Sequence, residues 1–95
     1  MIDPRDAEVW EWDEHNEAEL TLHHVHAEEV EQVFESRPTV LPNRRGRSGN
    51  FKLVGRSEAG RALTIIVSYD PIRRSLRPIT GYDSPDADRT RYLKG

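Results

Sequence analysis

At 95 residues the chain can bury one modest core and not two, so a single domain spanning 1–95 is expected. The absence of cysteine excludes a disulfide framework or a thiolate metal site and points to the cytoplasm, while no apolar run approaches the roughly 20 residues of a bilayer span, so no membrane partner is expected. The net charge of −3 conceals an asymmetry: up to Arg37 twelve acidic residues face two basic ones, net −10, and from Pro38 onward twelve basic residues face five acidic ones, net +7.

In chain order, "VWEW" at Val9 to Trp12 alternates weakly and reads as a short first strand. Asp13 caps a helix from Glu14 to His23, in which Ala18, Leu22 and then Val25 recur at spacings of four and three while glutamates fill the outer face. A second helix follows at once, with Ala27, Val30, Val33 and Phe34 on one side, Glu28, Glu29, Glu31 and Gln32 on the other, and Pro38 as its stop.

The basic half reads as strands. After "TVL", the stretch "PNRRGRSGN" has loop composition; "FKLVG" and "ALTIIVSY" then form a hairpin around "RSEAGR". Leu63, Ile65, Val67 and Tyr69 give one apolar face and Ala62, Thr64, Ile66 and Ser68 a mixed one, as in a central antiparallel strand covered chiefly on one side. A turn at "DPIRR" leads to "SLRPITGY", where Pro78 cannot donate to a ladder and so marks an edge or a bulge. In "SPDADRTRYLKG", Ser84 as N-cap and Pro85 at the first helical position, with acids early and bases late, predict a short C-terminal helix. The result is an α+β fold: a short N-terminal strand, two helices, an antiparallel meander of three to four strands, and a short C-terminal helix, with the helices on one face.

Several residues stand out chemically. His23, His24 and His26 crowd the join between the two helices, but a helix-borne zinc pair favours a spacing of four and the helix ends here, so no metal site is expected. His26, at the start of the second helix, should be neutral and at most a cap. Trp10 and Trp12 share one face of a strand and read as packing residues in preference to base-stacking platforms. Arg44, Arg45 and Arg47 lie in the Gly-containing loop, either solvated or in contact with an anion. The basic half as a whole either neutralises the acidic half or meets an anionic partner; its arginines suit phosphate through their planar fork of donors.

The pieces "WEWDE" at 10–14, "LHHV" at 22–25, "AEEVEQVF" at 27–34, "FKLVGRSEAGRAL" at 51–63 and "ITGYDSPDADRTRY" at 79–92 resemble, in order and spacing, the BrnT-type toxins of bacterial type II toxin–antitoxin systems. The resemblance covers nearly the whole chain. It implies a RelE-like fold and a small endoribonuclease that cuts RNA with no metal or other cofactor, held inactive by a ribbon-helix-helix, BrnA-like antitoxin. It also implies roles: Arg61 and Arg89 hold phosphate, His23 is the acid or base, and Tyr92 orients a base. Lys52, Arg56 and Arg91, together with Arg44, Arg45 and Arg47, would contact RNA.

The chain also departs from that pattern. The family's lysine before the histidine is Leu22, its turn glycine is His24, its arginine after the third strand is Tyr82, and its helix glutamate is Asp88. Two phosphate-facing cations are thereby lost, which leaves a second reading open: a catalytically inactive RelE-fold module that binds a protein partner or nucleic acid. A histidine that bridges helix and sheet is likewise an alternative role for His23. His24, in a glycine position, should adopt a positive φ. The sequence carries no sign of the oligomeric state.

Overall fold

The computed structural model describes residues 2–43 and 50–93, and the expectations for Arg44, Arg45 and Arg47 lie outside them. A single 3-10 turn at Pro4–Asp6 precedes strand β1 (Val9–Trp10), helices α1 (Glu14–Leu22) and α2 (Ala27–Glu35), strands β2 (Thr39–Pro42), β3 (Phe51–Arg56), β4 (Ala62–Asp70) and β5 (Ser75–Asp83), and helix α3 (Asp86–Tyr92). The fold is α+β, and the sheet has five strands in the order β1-β5-β4-β3-β2.

The sheet departs from the expected meander in two ways. β2 to β5 do pair antiparallel, but β1 joins them parallel to β5, with Val9 opposite Ser75 and Trp10 opposite Leu76, so the sheet is mixed. In β5, Thr80 faces Ile66 and Pro78 faces Val67, which makes Ile79 an extra, bulged residue. Pro78 thus sits beside a bulge and past the end of β1, on a stretch of β5 that no strand among the described residues flanks on its outer side. Its missing N–H costs no ladder bond there.

The core lies between the sheet and the first two helices. Val30 and Val33 of α2 and Leu20 of α1 pack on Leu53, Leu63, Ile65, Val67 and Leu76, all essentially inaccessible to solvent. Trp10 stacks on Trp12 with ring centroids 5.6 Å apart and meets Phe34 edge-on at 5.2 Å, while Trp12 Nε1 donates to Glu31 at 2.8 Å. Both indoles are packing residues that tie β1 to α2.

Asp13 caps α1 as expected: its carboxylate accepts from the Asn16 N–H at 2.8 Å and the Asn16 side chain accepts from the Asp13 N–H at 2.9 Å. The inward face of α1, however, is Asn16 and Leu20, not Ala18 and Leu22; Leu22 is 75% exposed. Asn16 can be buried because its amide also donates to the Glu11 carbonyl at 2.8 Å. Leu20 approaches Gly81 so closely that a Cβ there would lie 3.0 Å from its Cδ2 and 2.8 Å from Ile65 Cδ1.

α3 corrects the expectation that all helices share one face. It docks through Asp88 on Thr64 and Lys52, which point away from the core residues Leu63, Leu53 and Ile65 by strand alternation. Its N-cap is Pro85 and not Ser84, because Ser84 is engaged elsewhere: Thr64 donates to Asp88 Oδ2 at 2.9 Å and accepts from the Ser84 hydroxyl at 2.9 Å. The acids Asp86 and Asp88 open the helix and Arg89 and Arg91 close it, as the sequence indicates.

Candidate functional site

The turn between α1 and α2 is a Schellman motif. The Val25 N–H bonds the Leu20 carbonyl at 3.0 Å, the His24 N–H bonds the Thr21 carbonyl at 2.9 Å, and Leu20 and Val25 meet in the core. His24 holds φ +58°, the glycine-like conformation expected of it. This reversal separates two adjacent imidazoles. His23 stays at the helix end, its ring edge-on to Tyr82 at 6.3 Å and its Nε2 3.5 Å from a Glu19 carboxylate oxygen.

The His24 carbonyl faces the start of β4, where it accepts from Arg61 Nη1 at 2.7 Å. The same nitrogen bonds both oxygens of Glu29 at 3.0 and 3.2 Å. The other edge of the guanidinium is occupied by Asp83 at the end of β5, with Nε to Oδ1 at 2.8 Å and Nη2 to Oδ2 at 3.2 Å. Glu29 is shielded, at 19% side-chain exposure, whereas Asp83 is open at 70%. The Arg61 hydrogen bond holds the Asp83 carboxyl below the ordinary carboxylate range against the opposing effect of burial, with the charges of Arg61, Arg89 and His24 adding to the lowering. The Asp83 hydrogen bond in turn raises Arg61.

Arg89, one turn into α3, pairs with Asp86 on its own helix. Tyr82 titrates above its usual range, first because it is partly buried and then because Asp88 is negatively charged, so at neutral pH it is a phenol that donates and not a base. Three of the four residues with an implied catalytic role therefore neighbour one corner, the end of β5: His23, the C-cap of α1, meets Tyr82; Arg61, just before β4, binds Asp83; and the charge of Arg89 in α3 reaches Asp83.

Tyr92 is not part of that corner. It lines a separate cleft of about 240 Å³ with Arg37, Thr39, Val54 and Arg56. Lys52 sits on the α3 face, 3.7 Å from Asp88; Arg56 donates to the Gly60 carbonyl at 2.9 Å within the β3–β4 turn; Arg91 is exposed on α3. The three histidines occupy a C-cap, the left-handed position after it and an N-cap, where Glu29 accepts from the His26 N–H at 3.1 Å. Among the described residues no group of three His, Asp or Glu side chains is arranged to hold a metal ion. Among them, too, no helix is long and apolar enough to cross a membrane.

Glu19, Glu29 and Asp83 were not singled out by sequence. Glu29 reads as one of a row of surface glutamates, and its inward turn depends on where α2 docks. Asp83 was hidden by the bulge: without the extra residue at Ile79, the strand register would set it opposite Ala62 and not Leu63. No family model matches the chain, and no curated protein matches it in sequence.

Proposed function

We propose that this chain is a BrnT-like toxin of a bacterial type II toxin–antitoxin pair, acting in the cytoplasm as an endoribonuclease that uses no metal ion. The observation that carries this reading is that the end of β5 gathers the candidates from three distant segments: Tyr82 faces His23, Asp83 holds Arg61, and the charge of Arg89 reaches Asp83. In such a reaction a base removes the proton of a ribose 2′-hydroxyl, the 2′-oxygen attacks the adjacent phosphorus, and an acid returns a proton to the departing 5′-oxygen. His23, oriented by Glu19 as a carboxylate orients an imidazole, serves as acid or base. Arg61 and Arg89 offset the charge that grows on the phosphate oxygens. Tyr82, and not Tyr92, is the phenol beside them. The partner that restrains the activity would be a ribbon-helix-helix, BrnA-like antitoxin.

One observation favours the second reading, an inactive binding module. Both arginines already face carboxylates, and Tyr82 stands where the family pattern has an arginine. Incubating the purified protein with total RNA, with and without EDTA, separates the two. Cleavage unaffected by the chelator is expected of the nuclease, and intact RNA at high protein concentration would leave the binding module.

A further inference from the structure

The Arg61 guanidinium is used in two different ways. Its Nη1 is anchored inward to the shielded Glu29 and to the His24 carbonyl, which fixes the group without help from Asp83. Its Nε and Nη2 edge faces outward and carries two parallel bonds to a carboxylate that is 70% exposed. Two parallel N–H donors are also what a guanidinium offers a phosphate. Arg61 alone holds Asp83 there: the aspartate ends β5, its neighbour Ser84 is turned toward Thr64, and no other donor to its carboxylate is present among the described residues. The positive charge of Arg89 reaches the same carboxylate and helps to hold its titration down.

We infer that the outward edge of Arg61 is a phosphodiester site held shut by Asp83, an intramolecular anion that an RNA backbone must displace before it can bind. This rests on the proposed action on RNA and adds the gate to it. The consequence is an affinity set by competition. An incoming phosphate gains two charge-assisted hydrogen bonds only by breaking two of the same kind, so RNA binds weakly to the native protein. Arg89, half-exposed and paired with an 89%-exposed Asp86, is the neighbouring cation to which the displaced Asp83 carboxylate or an adjoining phosphate can turn.

Asp83→Asn tests this, since the amide keeps the shape of the side chain while Glu29 and the His24 carbonyl still hold Arg61. The control is Glu8→Gln, which removes the same charge from the exposed Glu8–Arg74 pair at the opposite end of β5. Binding of inorganic phosphate and of a short single-stranded RNA with 2′-O-methyl riboses, which lacks the attacking hydroxyl, is measured by calorimetry at one fixed salt concentration, with folding checked by thermal melting and cleavage of unmodified RNA assayed separately. Asp83→Asn should bind the RNA about tenfold more tightly or better, the size of two charged bonds no longer contested, and Glu8→Gln less than about twofold. Equal gains in both variants would mean general charge and would overturn the gate, as would an unchanged affinity in folded Asp83→Asn protein. A gain for phosphate with none for RNA would show a small-anion site and overturn the assignment to a backbone. Because binding is read without cleavage, a tighter Asp83→Asn variant that leaves RNA intact keeps the gate and removes the nuclease; native cleavage with no change in Asp83→Asn does the reverse.

Discussion

On one face of the sheet α1 and α2 bury Leu20, Val30 and Val33 against Leu53, Leu63 and Ile65, whereas on the other α3 buries no residue of its own and is pinned by Asp88 to Thr64 and Lys52. Each fully buried aliphatic side chain contributes about 1.5–3 kcal/mol, and a polar pin in partial contact with water about 1 kcal/mol. The first face therefore sets the stability of the molecule. The second is held by bonds of a kind that water, a phosphate or another protein can replace. The reactive corner lies at the rim of the first face, where Arg61 and Asp83 follow Leu63 and Gly81 by strand alternation and are held by Glu29 and the His24 carbonyl.

The largest effect should come from the apolar side. Leu20→Ala removes the α1 side chain that meets Gly81, Ile65 and Val25 at once, and should cost about 3 kcal/mol, read as a lower denaturant midpoint with an unchanged slope. A loss below about 1 kcal/mol would show that α1 is not anchored by its core contacts. Asp88→Ala should cost less, about 1–2 kcal/mol, because it removes one of the two partners of the Thr64 hydroxyl, which keeps Ser84, and the partner of the Lys52 ammonium. Its signature is local: amides of α3 should lose hydrogen-exchange protection while those of β4 keep theirs. Loss of protection throughout the sheet would contradict the division. The smallest effect is a gain. His24→Gly should stabilise by up to about 1 kcal/mol, since glycine adopts φ +58° without strain, and His24→Ala should do no better than the native residue. A clear loss in the glycine variant would assign the imidazole a bond of its own.

The same division explains how much could be read from the sequence. Features fixed by local chemistry were legible: the Asp13 cap, the apolar face of α2, the hairpin of β3 and β4, the charge order of α3, and the positive φ of His24. Features that depend on packing were not. α1 has nine residues and only one buried apolar side chain, Leu20, so its period misleads, and a buried Asn16 becomes favourable only once the Glu11 carbonyl is beside it. The parallel pairing of β1 rests on two residues. In the site, cations were legible as residue types, but their partners were not: that Arg61 lies between Glu29 and Asp83 follows from the docking of α2 and from one bulged residue in β5. The implied grouping of Tyr92 with His23 failed for a like reason, because α3 crosses the far face and carries its last turn away from the corner.

We propose that the corner at the α1–α2 turn acts on RNA through one imidazole. The most direct measurement compares metal-free RNA cleavage by His23→Gln and His26→Gln, each shown by thermal melting to be as stable as the native protein. His23, set between Glu19 and Tyr82, should be needed, with the rate falling by about 10²-fold or more as for a general acid or base. His26, whose backbone N–H is bonded to Glu29 at the start of α2, should be dispensable. Two folded variants that cleave alike, both at the native rate or both not at all, would contradict the account.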